Sequence, residues 1–212
     1  MRFHRTNGTI LNLNMSGKRA LITGANSGLG AHFARVLAGA HVILAARRFS
    51  ALEEVASTIH KDGGSCETAQ LDVQDQASIL SLAPLLSGLD VLVNNAGLVR
   101  DAAAIEQSAA DWDAVIDTNL KGTFLLTQTA AKAMIAERRG GSIINIASIL
   151  GVRQAGKVLP YAVSKAGVIQ LTKTLALECS TRWQHVWRHV IPLTEVRTGF
   201  SDRPLREGGH EG

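Results

Sequence analysis

Aromatic residues and cysteines are scarce in this chain, and it has no long apolar run and no block of like charge. Aromatic side chains make up 4% of its 212 residues, so a core must be assembled from Val, Ile, Leu and Ala. That composition suits a parallel sheet covered by helices, whose buried strands read as continuous aliphatic runs. The two cysteines, Cys66 and Cys179, lie far apart and form no C-x-x-C pattern, which argues against a redox or zinc motif. They read as small buried hydrophobes in a reduced compartment. No segment approaches the roughly 18–20 apolar residues of a membrane span. Met1 to Asn14 carries neither the uninterrupted apolar stretch nor the cleavage pattern of a signal peptide. The expectation is a cytoplasmic protein with no membrane partner. Net charge is +4, drawn partly from the pairs Arg47-Arg48 and Arg138-Arg139. Isolated pairs point to one bound phosphate at most, not to a nucleic-acid partner.

With 46% hydrophobic residues, the chain has enough apolar material for one well-buried α/β domain and is short for two. Residues 1–16 read as a flexible lead-in, with Met15 as an alternative start. A domain is expected over 17–191 and an irregular tail over 192–212. Arg19 to Thr23 is an aliphatic strand that runs through Thr23-Gly24-Ala-Asn-Ser-Gly28-Leu-Gly30 into a helix from Ala31 to Ala38. Strand, glycine turn and helix in that order are what a phosphate-binding loop requires. Glycines let the backbone approach a pyrophosphate, and the helix start offers unpaired N–H groups.

His41 to Ala46 is a second strand, and its end is where an adenosine ribose lies in such folds. Ala46 stands where an acid would select NAD, and Arg47 and Arg48 follow, suited to a 2′-phosphate. A helix over Ser50–Lys61, a strand over 66–71, Asp72-Val73 and a helix over Gln76–Leu86 come next. Leu89 to Asn94 is a fourth strand that leads into Asn95-Ala96-Gly97. One long helix is predicted from Ala109 to Arg138, with Trp112, Val115, Ile116, Leu120, Phe124 and Ile135 on its apolar stripe. Asn119 lies beside that stripe, as a satisfied core amide or as part of a site. Gly141 to Ala147 is a fifth strand, followed by Ser148 and then by a helix from about Leu159 to Glu178. The fold class expected is a single doubly wound, Rossmann-like α/β domain.

Tyr161, the only tyrosine, stands one helical turn before Lys165, with Ser148 thirteen positions upstream. An ammonium beside a phenol favours the phenolate, and a serine hydroxyl can hold a carbonyl oxygen during proton transfer. Taken alone, the same residues also fit a half-buried tyrosine and a surface lysine.

These motifs, in this order over residues 17–180, resemble the short-chain dehydrogenase/reductase family of nicotinamide-dependent oxidoreductases. The resemblance implies Tyr161 as acid/base, Lys165 as its electrostatic partner and ribose ligand, and Ser148 as the holder of the substrate oxygen. Asn119 would support a water that connects the lysine to solvent. Gly24, Asn26, Ser27, Gly28, Leu29 and Gly30 would line the pyrophosphate. Asp72 and Val73 would meet the adenine, with Asn94, Ala96 and Gly97 along the cofactor. It also implies NADP(H) in preference to NAD(H), a small carbonyl or alcohol substrate, no metal, and a homo-oligomer, dimer or tetramer.

After Glu178 the text departs from that pattern. No Pro-Gly pair follows, and two tryptophans crowd into 183–187 with His185 and His189 four apart. The further strand and helix of the family are not evident. Three readings follow: an NADP-dependent oxidoreductase, a cofactor-binding protein with impaired turnover, and the product of a disrupted gene. The first is the function these motifs encode.

Overall fold

Six segments pair side by side, all parallel: β1 (Arg19–Thr23), β2 (His41–Ala46), β3 (Ser65–Gln70), β4 (Val91–Asn94), β5 (Gly141–Ile146) and β6 (Val186–Ile191). Their spatial order is β3-β2-β1-β4-β5-β6. This computed structural model describes residues 15–182 and 186–191, and two short strands, Arg5–Thr6 and Thr9–Ile10, paired with each other. Parallel neighbours need crossovers. Helices supply them: α1 (Gly28–Val36), α2 (Phe49–Lys61), α3 (Gln76–Ser81), α4 (Ala109–Ile116), α5 (Gly122–Ala136) and α6 (Leu159–Arg182).

Successive side chains of a strand point to opposite faces, so an aliphatic run feeds two cores. On one face Leu21, Ile43, Leu92 and Ile143 pack with Ile79, Leu126 and Met134. On the other, Ile22, Leu44 and Val93 pack with Ala31, Ala34, Leu52 and Ile59. Each such side chain contributes about 1.5–3 kcal/mol by leaving water. The expected doubly wound α/β architecture is therefore present.

Four features depart from the expected elements. The sheet has a sixth strand, Val186–Ile191, registered from Gly141↔Val186 to Ile146↔Ile191. Its β-branched and aromatic content (Val186, Trp187, Val190, Ile191) is a strand signal, masked in the sequence by the interspersed arginine and histidine. The helix before it continues to Arg182. Of the two histidines four apart, His185 lies outside the described residues and His189 falls in β6.

The long helix predicted over 109–138 is broken by a π turn, Asp117–Lys121, between α4 and α5. The wider turn slips the helical phase. Phe124, expected on the apolar stripe, is consequently half-buried, and Leu126, Ala130 and Met134 carry the core contact instead. The segment over 76–86 is likewise two pieces, with a 3₁₀ turn over Ala83–Leu86.

Buried polar groups need partners, and here they are threaded across the sheet. The Asn94 Nδ2 donates to Thr127 Oγ1 (2.9 Å) and to Asn145 Oδ1 (2.8 Å). The Asn145 Nδ2 donates to Thr172 Oγ1 (2.8 Å). At the amino ends of the strands Asp90 accepts from Lys18 Nζ (3.0 Å), from the Arg19 N–H (2.9 Å) and from Arg139 Nη2 (3.3 Å).

Candidate active site

The sheet order reverses between β1 and β4, and in open parallel sheets the crevice at such a point is where ligands bind. A cleft of about 740 Å³ occupies this place. Its walls come from the loops after β1, β2, β3 and β4, and include Asn26, Ser27, Gly28, Leu29, Arg47, Arg48, Asp72 and Val73.

The chain approaches itself closely here because it carries no side chain at two positions. Gly24 adopts φ +65°, and a Cβ there would stand 3.0 Å from Asn95 Nδ2 and 3.1 Å from the Ala96 Cα. A Cβ on Gly30 would collide with the Gly24 carbonyl and lie 2.7 Å from Asn95 Nδ2. The β1 and β4 loops are laced together by Thr23, whose Oγ1 accepts from the N–H groups of Asn95 (3.0 Å) and Ala96 (2.9 Å). Asn95 Nδ2 donates back to the Thr23 carbonyl at 2.9 Å. Helix α1 opens on this cleft, and the preceding Ser27 makes no side-chain cap. Its first N–H groups are thus left to an anion.

At the far end of the cleft lies a second cluster. Lys165 is 5% exposed, so the reading of a surface lysine does not hold. Its Nζ donates to the Ile146 carbonyl at 2.7 Å and lies 5.6 Å from the centre of the Tyr161 ring. Burial pushes the Lys165 ammonium down to about 8. Gly97 joins cleft and cluster: a Cβ built on it would stand 3.7 Å from Lys165 Nζ and 3.3 Å from Asn119 Oδ1.

Asn119, fully buried in the π turn, is spent on holding this corner together. Its Oδ1 accepts from the Leu98 N–H at 2.8 Å. Its Nδ2 donates to the Leu98 carbonyl at 2.9 Å and to Ser164 Oγ at 3.0 Å. Ser164 Oγ in turn donates to the Tyr161 carbonyl at 2.7 Å. A single amide thereby fixes the 98 loop and the first turn of α6.

Ser148 is 8% exposed, just past β5. Its Oγ accepts from the Leu150 N–H at 3.2 Å. Among the described residues its proton is given to no other group, which leaves a hydroxyl fixed in place with a donor to spare. The short turn that follows, Ile149–Gly151, lies against α6. A Cβ on Gly151 would come within 2.9 Å of the Lys165 carbonyl carbon and 3.0 Å of the Ala166 nitrogen.

Most of the expected site residues fall at the cleft or in this cluster. Asn94 does not: its side chain is spent between sheet and helix, on Asn145 of β5 and Thr127 of α5, and its neighbour Asn95 lines the cleft. Thr118 and Leu98, which the sequence did not single out, line it too, as does Thr23, expected only as the first residue of the glycine motif and not as a site residue. Thr23 closes β1 immediately before Gly24, and that place is the signal by which it could have been found. Among the described residues no group of three or more His, Cys, Asp or Glu side chains is placed to hold a metal ion. No helix described is long and apolar enough to cross a membrane.

The cleft fits a dinucleotide on its own terms: two glycine positions a Cβ would block, an uncapped helix start and an arginine pair. Comparison with known proteins points the same way. The family model described as short chain dehydrogenase matches residues 18–202. A Rickettsia prowazekii protein named 3-oxoacyl-(acyl-carrier-protein) reductase FabG is 40% identical over 190 residues, 89% of this chain and 74% of its own. A metagenomic short-chain oxidoreductase solved in complex with NADP is 36% identical, with a TM-score of 0.78 over 84% of this chain and 83% of its own. A Burkholderia phymatum short chain dehydrogenase/reductase solved with NAD is 30% identical, with a TM-score of 0.80 over 84% of this chain and 66% of its own. The chain belongs to the short-chain dehydrogenase/reductase family of oxidoreductases.

Proposed function

We propose that the chain interconverts a carbonyl and a secondary alcohol, with NADP(H) in the cleft and NAD(H) as the weaker alternative. The observation that carries this reading is the buried Lys165 ammonium beside Tyr161, held on the Ile146 carbonyl at the Gly97 end of the cleft. When bound, the nicotinamide supplies or accepts the hydride at its C4.

The protein's own residues divide the remaining work. Gly24, Gly28 and Gly30, with the start of α1, hold the pyrophosphate. Asp72 and Val73 flank the adenine. Arg47 and Arg48 meet the 2′-phosphate. Ala96 and Gly97 admit the nicotinamide ribose, toward which Lys165 extends. Ser148 donates its free proton to the substrate oxygen and holds it before Tyr161. In reduction the Tyr161 hydroxyl gives that oxygen a proton; in oxidation the phenolate takes one from the alcohol. Asn119 keeps the two helices and the 98 loop in register while this occurs.

The test is thermal unfolding of the full chain with NADPH or NADH, followed by turnover of a panel of carbonyl compounds. A midpoint raised more by NADPH than by NADH supports the cofactor assignment. Tyr161→Phe should abolish turnover and leave the NADPH shift in place. A Tyr161→Phe protein that still turns over would overturn the assignment of the acid/base.

A further inference from the structure

The two arginines after β2 are not equivalent. Arg48 stands just before α2, and with the Asn26 amide oxygen turned toward it the guanidinium donates twice to that one atom. Nη2 lies at 2.8 Å and Nε at 3.1 Å. A guanidinium has only donors, so the facing atom of the amide must be its oxygen. Among the described residues the Arg47 guanidinium makes no hydrogen bond or ion pair; only its backbone carbonyl is engaged, by Gln70 Nε2 at 3.4 Å.

Asn26 belongs to the turn after β1 and Arg48 to the turn after β2, and both line the cleft. Their contact therefore closes a bracket across two loops. Geometry decides what is left over. Asn26 occupies the Nε side of the guanidinium, two of its five N–H groups. The end-on pair of N–H groups, from Nη1 and Nη2, stays open, and that is the fork which matches two oxygens of a phosphate. An exposed arginine normally gives up much rotamer freedom when it pairs, and one already held gives up less.

We propose that Asn26 is a specificity-determining positioning residue. By taking the side edge of Arg48 it presents the free fork to the 2′-phosphate and so sets the preference for NADP over NAD. This rests on the cofactor assignment proposed above. Asn26 contributes through Arg48, while the rest of the glycine turn serves the pyrophosphate that both cofactors share.

The experiment is equilibrium binding of NADPH and NADH to wild type, Asn26→Ala, Arg48→Ala and the double variant. Asn26→Ala should weaken NADPH about fivefold to twentyfold and change NADH by less than about twofold, within the range of coupled neighbours. The double variant should bind NADPH no more than about twofold worse than Arg48→Ala alone, since the amide then has nothing to hold. Equal weakening of both cofactors, or additive losses in the double variant, would overturn the bracket and leave the cofactor assignment standing. A wild type that binds NADH as well as NADPH would overturn both. Should Asn26→Ala unfold, Asn26→Leu, close in volume and without an acceptor for Arg48, replaces it: NADPH binding must fall while NADH binding stays, and an unchanged NADPH affinity would refute the proposal.

Discussion

Lys165 Nζ and the Ile146 carbonyl, 2.7 Å apart, tie the first turns of α6 to the last residue of β5. The bond places a charged group inside the fold at a cost. With its ammonium pushed from 10.5 down to about 8 by burial, the folded state binds that proton less tightly than the unfolded chain. The penalty is complete below pH 8, shrinks as pH rises, and is gone above about 10.5.

Lys165→Met should therefore stabilise the cofactor-free protein at pH 7 by about 1–3 kcal/mol, the displaced proton affinity less one hydrogen bond. The gain should fade between pH 8 and 10, and turnover should be lost throughout. Urea unfolding of both proteins across that range is the measurement. A less stable methionine variant at pH 7 would refute the account.

Ser148→Ala removes the hydroxyl proposed to donate to the substrate oxygen and also the acceptor of the Leu150 N–H. The rate should fall by roughly 10²–10³-fold, as when one donor to a developing oxyanion is deleted. Cofactor binding should change little. Steady-state kinetics beside an NADPH titration separates the two effects.

Gly151→Ala places a Cβ within 2.9 Å of Ile169 Cδ1 and of the Lys165 carbonyl carbon. Relief requires the Ser148 turn to lift from α6, at about 1–3 kcal/mol, and the rate should drop with it. Gly156→Ala, five residues on, meets nothing within 4 Å and should be neutral on both counts. The contrast between the two variants, read by denaturation and by turnover, is the check.

Asp90→Asn should destabilise by about 1–3 kcal/mol, since Lys18, Arg139 and the Arg19 N–H all converge on this carboxylate. Desolvation alone would raise its proton affinity. The Arg19 and Lys18 hydrogen bonds and the nearby Lys18 and Arg139 charges outweigh that and hold it below 3.8. Its contribution is complete above pH 3.8 and disappears as pH falls through the lower folded value. The two proteins should converge in stability in strong acid, as followed by circular dichroism.

Much of this was legible in the residues. Aliphatic runs such as Val42-Ile-Leu44 and Val91-Leu-Val93 can be buried on both faces only in a parallel sheet. The T-G-x-x-x-G-x-G turn and the spacing of Ser148, Tyr161 and Lys165 then mark the cleft and the cluster beside it. What stayed hidden depends on tertiary partners. Nothing local distinguishes the surface lysine of a helix from one that reaches a neighbouring strand, as Lys165 does. Periodicity could not separate Asn94, which pairs with Asn145 across the sheet, from Asn95, which faces the cleft. The π turn was invisible for the same reason, because its extra residue matters only against what packs on either side.

That turn imposes a counting rule on the chain. A segment of normal α geometry would carry one residue fewer between Ile116 and Gly122, and everything before it would rotate by roughly a quarter turn relative to everything after. Trp112 and Val115 would then swing away while Leu126 and Met134 stayed seated, or the reverse. Single-residue deletions at 117–121 should therefore be far more damaging than point substitutions at exposed positions there. The turn behaves as a gear tooth: beyond the Asn119 amide that it presents, what it contributes is the number of residues it spans.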